Sequence, residues 1–311
     1  MALSIDATNW QGSSLIESDM AMHVLGDTGN PQLSLGTMNV VEEEELLQEW
    51  DTLLNVQTQV LGGREAAWLE SKGFGASRGV LEVGSASGRY GSFLARGFPH
   101  VDIFGLEANP HLARRFDRIA DAPPNYRIHL GKIGEDPLPT TLEGRFDACI
   151  LRFVLQHVSN PACVLRAVHD VLPPGGKIYV IEEDLTFLTT RQDWLPFRVV
   201  RDAWLKVTAA SGTDGLIGAK LPALVQEAGF VIDDFDITLR NNVEMGAGFG
   251  DFMVSALRVF RRTMPDLVTD HEVRAAVAGF ESSRADHTNR HVATYPQFLL
   301  TATKKASGIS L

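Results

Sequence analysis

The feature that most limits the possible folds is an alternation of strand and helix patterns that begins at residue 79. Short runs rich in Val, Ile, Leu and Phe are typical of buried strands, and segments with helical spacing separate them. The predicted strands are 79–83, 101–106, 126–130, 146–151 and 177–182. The predicted helices cover about 89–97, 109–119, 160–171 and 219–228. This alternation predicts a doubly wound α/β fold, in which helices cover both faces of a mostly parallel sheet.

The segments that flank this region have other patterns. Apolar residues at helical spacing predict helices over about 41–72. Residues 1–36 contain several glycines and no sustained period, which indicates a poorly ordered arm or a lid. The segments 231–239 and 292–302 have strand character without a crossover helix, so they are candidates for an antiparallel edge of the sheet.

Charge and cysteine content exclude several classes of protein. The chain has 28 Lys+Arg against 39 Asp+Glu and no basic block, which disfavours nucleic acid as a partner. Cys149 and Cys163 are its two cysteines and predict reduced thiols in a cytoplasmic protein. No leader pattern or bilayer-length apolar run is seen, and the histidines lack metal-ligand spacing. We therefore expect no membrane span, no nucleic acid and no bound metal.

The loop after the first predicted strand, in "LEVGSASGRYG" at 81–91, indicates the type of ligand. Its glycines permit positive φ angles and a close approach of a ligand to the backbone. A P-loop would end in Gly-Lys-Ser/Thr, and this loop has no such lysine. A dinucleotide loop has glycine where Ala86 stands, which weakens NAD without excluding it. The loop favours a nucleoside without phosphates, and Glu107 stands about 20 residues on, where an acid reaches ribose hydroxyls in this fold.

Four segments, in this order, resemble the class I S-adenosylmethionine-dependent methyltransferases, especially the small-molecule branch related to quinone-biosynthesis methyltransferases. They are "VLEVGSASGRYG", "FGLEANP", "FDACILRFVLQHVSNP" and "VLPPGGKIYVIEED". The resemblance covers roughly 79–230 and implies a Rossmann-like sheet of seven strands with an antiparallel last strand. It also implies S-adenosyl-L-methionine as cofactor and S-adenosyl-L-homocysteine as product. The implied reaction is in-line methyl transfer to a small, partly apolar molecule, which we expect in secondary metabolism.

The resemblance also implies a set of cofactor contacts at the ends of the first four strands. Glu107 would bind both ribose hydroxyls, with Glu82 behind the loop, and Arg152 and Phe153 would lie near the methyl group. Where the family usually has an adenine-binding Asp this chain has Lys132, which cannot accept a hydrogen bond, so the Ile133 backbone is the expected replacement. The full predicted set is Glu82, Gly84, Ser85, Ala86, Gly88, Glu107, Ala108, Asn109, Ile133, Arg152 and Phe153.

The chemistry narrows the candidates for catalysis. A sulfonium is already activated, so the protein must mainly align the nucleophile and exclude water. The catalytic side chain would accept a proton or stabilise developing positive charge. The candidates are His157 and the acids at the end of the fifth strand, and we predict that His157 and Glu183 have this role.

The domain organisation follows from the same patterns. Residues 1–72 are predicted to form an arm and helices that act as a lid, and 73–311 a methyltransferase domain. Amphipathic insertions at about 185–218 and 241–290 are predicted helical caps over the acceptor site. The acceptor, the methylated atom and a homodimer are left open. Two alternatives also stay open: a cofactor-binding protein that catalyses a rearrangement or cyclisation, and a non-catalytic binding module.

Overall fold

A computed structural model describes residues 43–119, 121–136, 138, 142, 144–190, 193–285 and 291–305. The arm predicted before about residue 37 lies outside the described residues. All described residues belong to one compact unit.

Seven strands form a single sheet in the order β3-β2-β1-β4-β5-β7-β6. The strands are β1 Gly79–Val83, β2 Asp102–Glu107, β3 Tyr126–Leu130, β4 Ala148–Arg152, β5 Lys177–Glu182, β6 Phe230–Asn241 and β7 Thr294–Lys304. Strands β1 to β5 pair in parallel, and β7 lies antiparallel between β5 and β6. The predicted doubly wound sheet of seven strands with an antiparallel last strand is confirmed.

The helices lie on both sides of the sheet and above its carboxyl edge. They are α1 Glu44–Ser71, α2 Arg89–Gly97, α3 Pro110–Ala113, α4 Pro161–Val171, α5 Leu195–Ser211, α6 Ile217–Glu227, α7 Asn242–Met245, α8 Ala247–Thr263 and α9 Asp270–Ala285. One helix, α1, replaces the helices predicted over 41–72. The helix predicted at 109–119 is only α3 followed by a 3₁₀ turn, Arg114–Arg118.

The shortened helix has a tertiary reason. In the 3₁₀ turn, Arg115 Nη1 donates to Gln48 Oε1 at 3.0 Å and Arg118 Nη1 donates to Glu44 Oε1 at 3.0 Å. Both acceptors lie on α1. The periodicity of residues 109–119 cannot predict these contacts, because the partners on α1 are far away in the chain.

Three hydrophobic clusters hold the helices against the sheet and against each other. One packs α4 and α6 against one face of the sheet, and another packs α2 and the end of α1 against the other. The third joins the first half of α1 to α5, α8 and α9 and includes Trp50, Phe197, Trp204 and Phe252. Since α1 contributes to two clusters, it connects the caps to the sheet. No helix of the described residues has the length and apolar character to cross a membrane.

Candidate active site

The loop after β1 adopts a conformation that side chains rarely permit. Gly84 and Gly88 have φ angles of 70° and 75°. A Cβ at Gly84 would lie 2.7 Å from Val154 Cγ2, and one at Gly88 would lie 2.8 Å from Ile128 Cδ1. Ala86 also has a positive φ, 48°. The loop is therefore held in a shape that keeps its backbone open to a ligand at Gly84, which is exposed.

Glu107 fixes the conformation of this loop from the end of β2. Its Oε2 accepts a hydrogen bond from the Ala86 N–H at 2.7 Å, and its Oε1 accepts one from the Asn109 N–H at 2.8 Å. Burial raises the pKa of Glu107, and these backbone hydrogen bonds oppose the shift. Both oxygens of the carboxyl group are thus positioned beside the loop.

Glu82 is a buried acid behind the same loop. The Tyr126 hydroxyl donates to Glu82 Oε2 at 2.6 Å. Burial raises the pKa of Glu82 to about 7, while the hydrogen bond from Tyr126 lowers it. Gly91 packs against this pair, because a Cβ there would overlap both Glu82 Oε2 and the Tyr126 ring.

A continuous cavity of about 880 Å³ opens at the carboxyl ends of β1, β2, β4 and β5. This is the edge where the strand order reverses between β1 and β4, the usual ligand position in open α/β sheets. We call one end the loop half, lined by Gly84, Ser85, Ala86, Glu107, Ala108 and Ile133. We call the other end the cap half, lined by Trp50, Leu53, Trp204, Thr208, Phe252 and Phe260.

The predicted site residues mostly meet in this cavity. Glu82, Arg152, Phe153, His157 and Glu183 line it together with the six residues of the loop half. Gly88 and Asn109 are buried behind the wall, and the Asn109 side chain caps α3 by accepting from the His111 N–H at 2.8 Å. Contacts of all these residues with a cofactor stay predictions.

Lys132 lies in the wall but has its own partner. Its Nζ is 2.6 Å from Glu135 Oε1, and its backbone N–H donates to Asp136 Oδ2 at 2.8 Å. Gly134 packs this loop on α4, since a Cβ there would lie 2.9 Å from Ala167 Cβ. The loop therefore presents the Ile133 region to the cavity while the lysine side chain pairs locally.

Arg152, at the end of β4, is a buried cation with a complete set of partners. Its Nε lies 2.8 Å from Glu65 Oε2, and its Nη1 donates to Gln57 Oε1 at 2.9 Å. The guanidinium carbon lies 4.2 Å from the centroid of the Tyr90 ring. Glu65 also accepts from Gln297 Nε2 at 2.6 Å. The charge of Arg152 is thus neutralised within the protein, and the pair ties α1 to β4 and β7.

Glu183 is the one acid of the 182–184 group that lines the cavity. The Tyr295 hydroxyl, from β7, donates to Glu183 Oε2. Burial raises the pKa of Glu183 to about 7, and hydrogen bonds from Tyr295 and Gln156 act in the opposite direction. A carboxyl group with such a pKa, in a cavity wall, can accept a proton near neutral pH.

The two neighbouring acids bond to backbone instead. Glu182 Oε1 accepts from the N–H groups of Val154 and Leu155 at 2.8 and 2.6 Å. Burial raises its pKa to about 8. Asp184 Oδ1 accepts from the Thr186 N–H at 3.1 Å. These acids support the turns that carry the cavity wall.

His157 lines the cavity in a less favourable setting for proton transfer. It is half-buried, and its Nδ1 is shielded from solvent without a hydrogen-bond partner among the described residues. Burial lowers its pKa to about 4, so the ring is neutral and weakly basic at neutral pH. Its catalytic role stays a prediction.

The cap half is aromatic and includes residues that the sequence did not identify as site residues. Trp204 contacts Phe260 and Phe252 edge-on, with ring centroids 5.3 and 6.1 Å apart. Trp50, on α1, was predicted only as part of a helix, yet it lines the cavity. The sequence offers one signal for a buried charge, because Glu65 is an acid four residues from both Leu61 and Leu69 on an apolar helix face, but this spacing does not identify its partner.

Metal ligation has no candidate in the part of the chain that the structure describes. There, no group of three or more His, Cys, Asp or Glu side chains is arranged to hold an ion. The expected independence of metal stays a prediction.

Comparison with known proteins identifies a methyltransferase domain within this chain. Residues 81–178 match the model of a methyltransferase domain. Methyltransferase str3 of Strobilurus tenacellus is 33% identical over 37% of this chain and 38% of that protein. The ubiquinone biosynthesis O-methyltransferase of Pseudomonas paraeruginosa is 29% identical over 36% of this chain and 47% of that protein. The chain thus spans less than half the length of these curated relatives.

One solved structure has a fold similar to that of this chain. Phosphoethanolamine N-methyltransferase 2 of Haemonchus contortus aligns with a TM-score of 0.52 and 12% identity, over 81% of this chain and 57% of that one. Residues 81–178 therefore match a methyltransferase domain, and the fold is similar to that of a solved methyltransferase. The resemblance drawn from four short segments is confirmed.

Proposed function

We propose that the protein transfers the methyl group of S-adenosyl-L-methionine to a small, partly apolar molecule of secondary metabolism. The observation that carries the proposal is the continuity of one cavity from the loop half to the aromatic cap half. A methyltransferase domain over 81–178 accounts for the loop half. Similarity to a ubiquinone biosynthesis O-methyltransferase supports a small-molecule acceptor.

The loop half fits the nucleoside part of this cofactor. Glu107 has both oxygens fixed by backbone N–H groups, so a carboxylate is already oriented toward ribose hydroxyls. Gly84 is exposed in the cavity wall, and Val154 occupies the position that a Cβ at this residue would need. Ala108 and Ile133 provide apolar wall for adenine. Residues Glu82 and Tyr126 support the loop from behind.

The cap half fits the acceptor. Trp50, Trp204 and Phe260 exclude water from its apolar body. Glu183 accepts the proton that the acceptor atom loses, while Tyr295 and Gln156 hold its carboxyl group in place. When bound, S-adenosylmethionine supplies a methyl group whose carbon–sulfur electron pair stays on sulfur as the acceptor's lone pair forms the new bond. Arg152 and Phe153, at the end of β4, also line the cavity.

The test combines binding with product detection. Calorimetry should show that S-adenosylmethionine and S-adenosylhomocysteine bind, and incubation with an acceptor panel should release S-adenosylhomocysteine, detected by mass spectrometry. Cofactor binding without release during product formation would instead support a rearrangement or cyclisation. Binding of NAD in place of S-adenosylmethionine would contradict the proposal.

A further inference from the structure

We infer that the acceptor enters the cap half as an uncharged molecule that presents a hydroxyl group to Glu183, and that anionic analogues are rejected. This inference rests on the proposed methyl transfer. It concerns the charge of the acceptor, which the domain match does not specify.

The first argument is that the cap half, in the part of the chain that the structure describes, has no cationic side chain available to a ligand. Among the described residues, the cationic side chains in the cavity wall are Arg89, Lys132, Arg152 and Arg166. Arg89 Nη2 lies 2.7 Å from Asp51 Oδ2, Lys132 pairs with Glu135, and Arg152 pairs with Glu65. An anion in the cap half would lose its hydration without gaining a counterion, which is costly.

Arg166 does not change this conclusion, because it lies at another part of the wall. It is exposed on α4, and its Nη2 is 3.2 Å from Cys163 Sγ. Its neighbour Ala167 packs on Gly134, in the loop that follows β3. Arg166 is therefore associated with the Ile133 side of the cavity and not with the aromatic caps.

The second argument is the charge balance around Glu183. Glu183 lies beside the cap half, because its partner Tyr295 contacts Trp204 and Phe252. Arg152 and Glu65 neutralise each other, so an ionised Glu183 adds an uncompensated negative charge there. That negative charge matches the single positive charge of a sulfonium, and an uncharged acceptor preserves the match. A positively charged acceptor would disturb it, and an ammonium has no lone pair for methylation until it loses its proton.

The third argument concerns the hydrogen bond itself. Tyr295 donates to Oε2 of Glu183, and Gln156 also hydrogen-bonds this carboxyl group. Because each carboxylate oxygen can accept more than one hydrogen bond, the group can still accept one from a donor in the cavity. A hydroxyl is such a donor, and transfer of its proton to Glu183 leaves the oxygen lone pair for the methyl carbon. The aromatic walls formed by Trp50, Trp204, Phe252 and Phe260 favour an unsaturated or ring-containing body on that hydroxyl.

Four naphthalene probes that differ in charge test the inference. 2-Naphthol, 2-naphthoate, 2-naphthyl phosphate and 2-naphthylmethylammonium are titrated calorimetrically at neutral pH into the full chain loaded with S-adenosylhomocysteine. We expect 2-naphthol to bind at least tenfold more tightly than each charged probe. Equal or tighter binding of either anion, tightest binding of the ammonium, or no binding of any probe would overturn the inference.

Variants link the preference to Glu183. Glu183→Gln should reduce the preference for 2-naphthol over 2-naphthoate at least fivefold, whereas Asp170→Asn, at an exposed acid of the same cavity wall, should leave it unchanged. Tyr295→Phe removes a hydrogen bond that stabilises the ionised Glu183, so it should weaken the preference at neutral pH and recover it at higher pH, which provides a second readout if Glu183→Gln does not fold. An unchanged preference in folded Glu183→Gln would count against the assignment.

The two proposals fail differently. A protein that does not bind S-adenosylhomocysteine but still ranks the probes by charge would contradict the proposed methyl transfer alone. A protein that binds S-adenosylhomocysteine and prefers a charged probe would contradict the acceptor assignment alone.

Discussion

Arg152 and Glu65 form a buried, two-pronged ion pair, with Nε 2.8 Å from Oε2 and Nη2 3.1 Å from Oε1. The pair joins the last residue of β4 to helix α1, and Gln297 of β7 donates to the same carboxylate. Three elements far apart in the chain thus meet at one buried charge pair in the cavity wall. The first half of α1 also lines the cap half, so this pair holds part of the acceptor wall against the sheet.

Glu65→Gln should destabilise the protein strongly, because it leaves the buried Arg152 without its counterion. We expect the free energy of unfolding to fall by about 3–5 kcal/mol in chemical denaturation. The double variant Glu65→Leu with Arg152→Met should recover most of this loss. As a control, Asp251→Asn removes the exposed pair with Arg284 and should cost less than about 1 kcal/mol. Equal effects of the two single variants would contradict this account.

Glu107→Ala should weaken binding of S-adenosylmethionine and S-adenosylhomocysteine alike. The change removes a carboxyl group that orders the loop through Ala86 and is proposed to bind ribose. The expected loss is roughly 1.5–3 kcal/mol by calorimetry, the usual effect of removing hydrogen bonds to a charged acceptor. Glu135→Ala, which removes the exposed partner of Lys132 in the same cavity wall, is the matched control and should have a smaller effect. Unchanged affinity in Glu107→Ala would remove Glu107 from the cofactor site.

Gly91→Ala and Gly97→Ala make the same change on one helix in opposite surroundings. A Cβ at Gly91 would overlap Glu82 Oε2 and the Tyr126 ring, whereas a Cβ at Gly97 meets nothing within 4 Å. We expect Gly91→Ala to lower the free energy of unfolding by about 1–3 kcal/mol through overpacking. Gly97→Ala should stay within about 1 kcal/mol of the parent protein. Thermal unfolding of both variants measures the difference.

Local sequence patterns were sufficient to predict the sheet but not the contacts within the candidate active site. Predicted strands 79–83 and 177–182 agree with β1 and β5, because buried parallel strands are compact apolar runs bounded by turns. The predicted strand 126–130 also agrees with β3, although this edge strand is only partly buried. The loop after β1 and the position of Glu107 follow from the same fold. Partners supplied by tertiary contact could not be predicted this way.

The missed partners illustrate the physical reason. Glu65 was one acid in a helical pattern, and Tyr295 one aromatic residue in a late strand. Their roles come from Arg152 and Glu183, which lie 87 and 112 residues away in the chain. Periodicity reports which face of an element is buried, but not which residue of another element it meets.

Glu182→Gln should reduce the loss of stability with rising pH. Burial raises the pKa of Glu182 to about 8 from an ordinary value of 4.5, so the folded protein holds this proton over a range where the unfolded chain has released it. Stability from this group is therefore lost as pH rises from about 4.5 to about 8. Glutamine can still accept from Val154 and Leu155 but does not titrate.

The measurement is chemical denaturation of both proteins at pH 5 and pH 8. Between these two conditions, the unfolding free energy of the parent should fall by roughly 2–4 kcal/mol more than that of Glu182→Gln. Parallel pH dependence of the two proteins would show that Glu182 has an ordinary pKa in the folded state.

Glu183→Gln and Tyr295→Phe should change the pH dependence of turnover in distinguishable ways. As the proposed base, Glu183 would accept a proton only when ionised, and burial raises its pKa to about 7, so turnover should rise with pH through about 7 and then level off. The groups that set this value are Tyr295, Gln156, Asp184 and Arg152. Because the Tyr295 hydrogen bond stabilises the ionised form, Tyr295→Phe should move the rising limb to higher pH.

Loss of the base itself should be larger than loss of its partner. Glu183→Gln should lower turnover by about 10²–10⁴ at saturating cofactor, with affinity for S-adenosylhomocysteine unchanged. His157→Ala should leave the rise of turnover with pH near neutral pH, because burial lowers the pKa of His157 to about 4. If the limb lies near pH 4 and disappears in His157→Ala, the histidine is the base. Infrared difference spectra offer a readout that needs no acceptor, since the protonated carbonyl band of Glu183 should vanish through about pH 7 and be absent in Glu183→Gln.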